Sequence, residues 1–171
     1  KSERFLVKLN PVMPQNFLID PLATNIEDAL GVAIDQMVPY HQVIEGIDNG
    51  IYRDVDVGYS SYDPQLDDAS EISTIYHDDM VRLTKYFGLV PTHLLSNVSD
   101  DGEVEDIIDV DKDKSYTEVI MVIANGSNIL KIEKNPYMKN DRPIVAFAWD
   151  LVPSKFWGRG VCEKAYNSQK A

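Results

Sequence analysis

The sequence has few of the features that mark secreted or membrane proteins. Its 171 residues include a single cysteine, Cys162, so an internal disulfide is excluded and a reducing compartment is the default. No run approaches the roughly 18 apolar residues of a membrane span, and no signal-peptide pattern is present. Hydrophobic residues make up 44% of the chain, which is typical of a globular protein. We therefore expect a globular fold with no membrane partner.

Motifs that carry catalytic or metal chemistry are also lacking. There is no phosphate-binding glycine loop, no Gly-x-Ser-x-Gly and no His-Glu-x-x-His. His41, His77 and His93 are far apart and lack metal-ligand spacing. Cys162 has no nearby histidine to activate it as a nucleophile. An acid–base hydrolase would rest only on chance pairs among 28 acidic residues, so we expect no enzyme and no cofactor.

Positive charge is scarce, and its shortage is local. The chain carries 28 acidic and 16 basic residues, a net charge of −12. Residues 54–118 hold 17 of the acidic and 4 of the basic residues, and the rest of the chain is nearly balanced. Such a segment repels nucleic acid phosphates and anionic lipid, and is most often a solvated loop face.

One acidic run begins like a calcium-binding loop, with Asp109, Asp111 and Asp113 as candidate metal ligands. An EF-hand needs glycine at its sixth position and glutamate at its twelfth. Lys114 and Ile120 stand at those positions. We therefore expect a solvated loop without metal, and a calcium-dependent module stays open as the alternative.

The strongest local signal is Asn125-Gly126 between two β-branched, apolar runs. It predicts a β-hairpin, because a type I′ turn needs positive φ at both central residues. A two-residue loop would place Met121 opposite Leu130, on one face with the neighbouring aliphatic residues.

A third apolar run follows Arg142-Pro143 and predicts a return strand over 144–150. We expect it to meet the hairpin through Val145 or Phe147.

The sequence Gly158-Arg159-Gly160 predicts a hinge, since glycine accepts backbone angles that other residues cannot. Residues 161–171 have a helical pattern. The basic residues near this corner are Lys155, Arg159 and Lys164.

The first half predicts short strands followed by two amphipathic helices. Strands are expected over 4–9 and 16–19. Thr24 and Glu27 match a capping box, and apolar residues at helical spacing then predict a first helix ending at Pro39. A second apolar stripe predicts a helix over 40–50.

Farther along, alternation predicts strands at 51–57 and 80–87, a short helical piece at 92–95, and polar loops at 58–79 and 97–115. The fold class is therefore predicted as α+β.

The order of these short motifs resembles the portal proteins of tailed bacteriophages. The residues that carry the resemblance are Ile19-Asp20-Pro21, Ala23, Gly50-Ile51-Tyr52, Tyr86-Phe87-Gly88, Asn135-Pro136-Tyr137, Arg142-Pro143, Pro153, Phe156-Trp157-Gly158-Arg159-Gly160, Glu163 and Gln169.

The resemblance implies a structural subunit of a ring, usually of twelve copies, at one capsid vertex. It implies that residues 1–79 belong to a wing, that 80–155 form a clip docking the terminase large subunit and a head-completion adaptor, and that 156–171 begin a stem helix. Double-stranded DNA would pass through the channel, in a virion component assembled in the host cytoplasm. The residues expected to contact the channel or DNA are Lys155, Arg159 and Lys164. The chain would then be a piece of a longer protein. The alternative is a stand-alone acidic protein-binding module.

Overall fold

A five-stranded antiparallel sheet organises the structure. The computed structural model describes residues 8–58, 80–98, 104–106 and 113–170. The strands and helices are β1 (Phe17–Ile19), β2 (Gly31–Pro39), α1 (Tyr40–Asp48), β3 (Met80–Pro91), β4 (Ser96–Val98), β5 (Val104–Asp106), β6 (Tyr116–Ala124), β7 (Asn128–Lys134) and α2 (Val161–Lys170). The sheet has the order β1-β2-β3-β6-β7, and β4 pairs separately with β5. The α+β class is confirmed.

One face of the sheet carries most of the core. There α1 places Val43 against Val81 and Leu83 of β3, in a cluster that also holds Leu130. A second cluster on this face lies toward β1 and is built around Phe17 and Val32. Successive side chains of a strand point to opposite faces, so the other face is formed by the alternate residues. That face is covered at one end, where Leu95 packs with Val119.

The hairpin is confirmed, and its predicted register is wrong. Asn125 and Gly126 have φ values of 51° and 74°, as the turn type requires. The loop spans residues 125–127, however, and the register shifts again between Val122 and Ile123. Met121 therefore lies opposite Ile132. Leu130 is buried on the other face, in the cluster beneath α1.

The turn is also tied to the neighbouring strand. The Asn125 backbone N–H donates to the Arg82 carbonyl at 2.8 Å, and its side-chain Oδ1 accepts from the Arg82 N–H at 3.1 Å. The same side chain donates to the Gly58 carbonyl at 2.5 Å. Asn125 therefore joins the hairpin tip to β3 and to the segment that follows α1.

The first predicted helix is wrong, and β2 takes its place. Asn25 closes a turn by accepting from the Asp28 N–H at 2.7 Å, which is the kind of local bond that competes with a helix. The Leu30 carbonyl accepts from the Leu89 N–H at 2.9 Å. The chain then enters β2, paired with β3 over nine residues. Tertiary pairing thus overrides the helical spacing.

Other predictions for the first half have mixed outcomes. The strand near Phe17, the helix beginning at Tyr40, the strand from Met80 and the 3-10 turn Thr92–Leu95 are confirmed. Residues 51–57 form no strand, although Val57 is buried. Part of the predicted polar loop 97–115 is paired, as β4 with β5. Most of the predicted strand 4–9 and of the loop 58–79 lies outside the described residues.

The predicted return strand is also wrong. Residues 144–149 join no sheet, and Val145 and Phe147 are exposed rather than packed on the hairpin. The outer edge of β7 is partly occupied, because the Leu130 carbonyl accepts from the Arg53 N–H at 2.7 Å. Ile144 instead packs in the cluster around Phe17. The chain therefore leaves the hairpin and crosses toward the β1 side of the sheet.

The predicted division at residue 79 falls within the sheet, since β2 and β3 pair across it. The assignment of wing-like, clip-like and stem-like segments remains a prediction.

Candidate functional site

A buried arginine holds the C-terminal part of the described chain against the sheet. Arg142 Nε donates to Glu118 Oε1 at 2.8 Å, and both side chains are nearly inaccessible, at 8% and 6% exposure. Arg142 Nη2 donates to Glu118 Oε2 at 3.4 Å. This fork-shaped pairing matches the geometry by which guanidinium binds carboxylate.

The other donors of this guanidinium bind backbone carbonyls of the turn before β2. Nη1 donates to Ile26 O at 2.6 Å and to Ala29 O at 2.9 Å, and Nη2 donates to Leu30 O at 3.3 Å. Arginine has five N–H donors, and all five are thereby used. Arg142 thus supplies hydrogen-bond donors to carbonyls of a turn that forms neither helix nor strand.

The turn that leads to Arg142 is held by Asn135. Its buried side chain donates to the Asp141 carbonyl at 3.0 Å and accepts from the Tyr137 N–H at 3.0 Å. The Asn135 N–H donates to the Glu118 carbonyl at 3.0 Å. The end of β7 and the position of Arg142 are therefore fixed by one small polar network.

Tyr86 lies beside the same ion pair. Burial raises the pKa of its phenol above the ordinary value of 10.0, the charge of Glu118 raises it further, and Arg142 acts in the opposite direction. The Tyr86 hydroxyl donates to the Leu89 carbonyl at 3.0 Å. The neutral phenol is thus the form that this environment favours.

The corner beyond this network is anchored by aromatic packing. Phe156 stacks on Phe17 of β1 with ring centroids 5.6 Å apart, and Trp157 meets Phe17 edge-on at 6.2 Å. Phe156 and Trp157 contact each other at 5.1 Å. Aromatic pairs of this kind contribute about 0.5–1.5 kcal/mol beyond their buried area. The corner is therefore fixed to the sheet edge.

The residues of the predicted glycine hinge lie in a corner, and their role as a hinge into a stem helix stays a prediction. The unusual backbone angles expected of the glycines are absent. Neither Gly158 nor Gly160 has positive φ; in the corner that conformation belongs to Ser154, at 63°. Gly158 is needed for space, since a Cβ there would lie 2.5 Å from the Asp150 carbonyl oxygen. A Cβ at Gly160 would meet nothing within 4 Å. The corner is tightened by the Arg159 N–H, which donates to Asp150 O at 2.9 Å.

The three basic residues of the corner do not share one environment. Lys164 Nζ pairs with Asp150 Oδ2 at 2.7 Å. Within the part of the chain that the structure describes, Lys155 and Arg159 have exposed side chains and no ion pair. One of the three charges is thus locally neutralised.

The helix that leaves the corner is free of the sheet. Every side chain of α2 whose exposure is described is exposed, including those of Val161 and Tyr166. Lys170 Nζ lies 5.9 Å from the Tyr166 ring centroid. Cys162 is exposed on the same helix, and Gln169 lies near its end.

Metal binding gains no support from the described residues. These contain no group of three or more His, Cys, Asp or Glu side chains arranged to hold an ion. Asp109 and Asp111 lie outside the described residues, so the predicted absence of a calcium site stays a prediction. His77 lies outside them as well. Within the described ranges no helix is both long and apolar enough to cross a membrane.

Sequence reasoning missed the role of Arg142 and Glu118. Arg142-Pro143 was noticed only as part of a motif, and Glu118 only as one acid in an acidic segment. A signal was nevertheless present, because Glu118 lies in an apolar strand where a charge requires a partner.

The comparison with known proteins agrees with the resemblance noted in the motifs. A family model described as Phage SU10 portal protein matches residues 1–171, which is the whole chain. Among curated proteins none matches it. A family model that covers every residue does not rest on any single motif. The chain therefore belongs to the phage SU10 portal protein family.

Proposed function

We propose that this chain is part of a ring subunit through which phage DNA is packaged and ejected. The observation that carries the proposal is the family match over residues 1–171, since a portal family implies an oligomeric ring in the virion capsid. The chain's role in this proposal is structural and involves no catalytic step. The proposed cell compartment for ring assembly is the host cytoplasm.

The geometry of the corner supports a ring. Helix α2 has ten residues and all its described side chains are exposed. Most of the stability of a helix in a protein comes from packing of one of its faces against a neighbour. A helix of this kind gains stability when neighbouring subunits pack beside it, as they would around a channel.

The charge distribution supports a conduit that does not grip DNA. Affinity for duplex DNA comes mainly from neutralised phosphates, and residues 54–118 carry a large acidic excess. Of the three basic residues near the corner, Lys164 is already paired with Asp150. Lys155 and Arg159 would then give each subunit only weak, sequence-independent contacts.

The proposal also assigns residues 80–155 to docking of the terminase large subunit and a head-completion adaptor. It rests on the motif order, and on the 9 of the 17 acidic residues of 54–118 that lie within this range. An acidic surface attracts a basic protein partner and raises its association rate. Removal of acidic side chains from this range should therefore slow terminase binding.

The experiment that tests the proposal is imaging of the whole gene product by negative-stain electron microscopy. We expect rings with an axial channel, usually of twelve subunits. A protein that stays monomeric or dimeric at all concentrations, or assembles without a channel, would contradict the proposal.

DNA binding is tested separately, by fluorescence anisotropy of a short labelled duplex at about 50 mM salt, where phosphate contacts are least screened. We expect no measurable binding by the isolated chain. In assembled rings we expect weak binding that a Lys155→Gln, Arg159→Gln variant reduces. Submicromolar binding by the isolated chain would instead indicate a dedicated nucleic-acid-binding function.

A further inference from the structure

An exposed apolar strip lies between the Arg142 network and the corner. It is formed by Val145, Phe147, Trp149 and Leu151, whose exposed fractions run from 74% to 93%. These are alternate residues of an extended segment. Of the residues that alternate with them, Ile144 and Ala148 are partly buried, Ile144 against the cluster around Phe17, and Ala146 is exposed.

The strip is held in position from both ends. Ile144 anchors its start in the cluster around Phe17, and Asp150 forms an antiparallel bridge with Arg159 near its end. Ala148 lies against Gly158, where an added Cβ would be 2.6 Å from the Ala148 Cβ. A preorganised segment loses little conformational entropy when it binds. The strip is therefore suited to docking.

The backbone of the strip is also unpaired. Among the described residues, the N–H groups of residues 145–149 donate to no other backbone carbonyl. An extended segment with free donors and alternating apolar side chains is the form that adds to another chain by strand pairing.

The amount of apolar surface is that of a specific interface. Phe and Trp side chains each offer roughly 150–250 Å², so the four residues together present on the order of 600 Å². A standard interface buries about 800 Å² on each partner. The largest exposed apolar patch of a typical monomer covers about 300–600 Å² and is often functional.

We infer that this apolar strip packs against a second copy of the same chain and forms part of the contact between neighbouring subunits. The inference rests on the ring role proposed above, in which an identical chain is the partner always present. A ring needs a head-to-tail contact, in which the strip meets a different surface of the next copy.

A receiving surface exists on the sheet. The face opposite α1 leaves Leu18, Met37 and Ile129 between 39% and 50% exposed. They lie on β1, β2 and β7, and the ion pair of Asp35 and Arg82 interrupts the apolar surface of this face between β2 and β3. If two strips met each other instead, the contact would be symmetric and would stop at a dimer.

Trp149 provides a direct test, because the chain has only two tryptophans. In a Trp157→Phe background, Trp149 is the sole indole, and Phe preserves the aromatic packing of the corner. Acrylamide quenching of its fluorescence is measured from nanomolar to several hundred micromolar protein, with mass by sedimentation equilibrium.

We expect Trp149 to be quenched freely at low concentration and protected at high concentration, as the mass rises. Phe147→Ser in the same background should raise the half-association concentration at least tenfold. The matched control is Met138→Ser, which removes another highly exposed apolar side chain outside the strip and should change nothing.

Three outcomes would overturn the inference. If acrylamide still quenches Trp149 while the mass rises, the contact between copies lies elsewhere. If the protein remains monomeric at every concentration, the copies make no contact. Protection in the monomer would show that the chain covers its own strip.

Ring imaging separates this inference from the proposed function. If the whole gene product forms rings and its Phe147→Ser, Trp149→Ser variant forms them equally well, the inference fails while the ring role stands. If the unmodified protein forms no ring, the proposed function fails.

Discussion

The buried pair of Arg142 and Glu118 allows one prediction to be worked out in detail. In Arg142→Met, the aliphatic part of the side chain is kept and the charge is removed. Glu118, at 6% exposure, then becomes a buried carboxylate without a partner. Removing one member of a buried ion pair costs about 3–5 kcal/mol. The variant should therefore lose a large share of the roughly 5–15 kcal/mol that stabilises a typical domain.

Two of the carbonyls bound by Arg142 add to this cost. Those of Ile26 and Ala29 lose a charged donor, and a buried polar group left unsatisfied costs about 1–3 kcal/mol. The Leu30 carbonyl keeps its bond from the Leu89 N–H. Water that enters the site would bind these carbonyls and reduce their part of the cost. We therefore expect Arg142→Met to lose at least about 3 kcal/mol, the lower bound for the unpaired Glu118 carboxylate.

The double variant Arg142→Met, Glu118→Gln separates the two contributions. Removing the buried negative charge should recover about 1–3 kcal/mol relative to Arg142→Met alone. The recovery should be incomplete, because the carbonyls before β2 still lack their donor. Full recovery would mean that these carbonyl contacts contribute nothing.

Urea unfolding followed by circular dichroism measures these free energies. Lys164→Met is the matched control, because it also breaks an ion pair of a basic residue, but at 53% exposure. Exposed pairs contribute about 0–1 kcal/mol. An Arg142→Met variant no less stable than Lys164→Met would refute the reasoning, and so would a changed m-value in place of a changed midpoint.

Three further predictions concern the core, the alkaline limit and calcium. Leu130→Ala should lower the free energy of unfolding by about 2–5 kcal/mol, whereas the adjacent, part-exposed Ile129→Ala should cost much less; equal melting curves would contradict the corrected register. The raised pKa of Tyr86 means that the folded protein holds this proton more tightly than the unfolded chain. The contribution of this proton to the free energy of unfolding is complete below pH 10 and is lost as the pH rises further. In urea titrations above pH 10, Tyr86→Phe should therefore lose less stability than the unmodified protein, and an identical dependence of the free energy of unfolding on pH would refute this. Millimolar calcium should leave the melting temperature unchanged, and a rise of several degrees that disappears in Asp111→Asn would favour the calcium-dependent module.

The sequence correctly predicted the elements that are specified by residues within or next to them. The hairpin followed from Asn125-Gly126, because a turn with two positive φ angles has few suitable residues. Helix α1 followed from its apolar stripe, and Pro39 marks the end of an element, although that element is β2 rather than the predicted helix. In each case the evidence lay within a few residues of the element itself.

Elements decided by distant contacts could not be predicted in this way. The apolar spacing of residues 26–37 fits a helix and also contains the alternation of β2, and pairing with β3 selected the strand. Periodicity alone does not separate these alternatives for a short segment. The register of the hairpin depended on an irregularity at Val122/Ile123 that no sequence pattern marks.

The candidate site was predicted only in outline. The corner and its outgoing helix were located correctly, but Gly158 is required by the approach of Asp150 rather than by its backbone angle. The partner of Arg142 lies 24 residues away in sequence. Such a pairing requires the strand order of the sheet, which is known only once the fold is known.

The predicted return strand over residues 144–150 is wrong for a physical reason. An apolar run predicts burial, and residues 144–150 were assigned to the core of their own chain for that reason. Arg142 and Ile144 instead direct this run across the sheet, so that Val145 and Phe147 face outward. Apolar periodicity indicates that a surface is to be covered and does not indicate by which molecule. The inference drawn from the exposed strip assigns this covering to the neighbouring subunit of a ring.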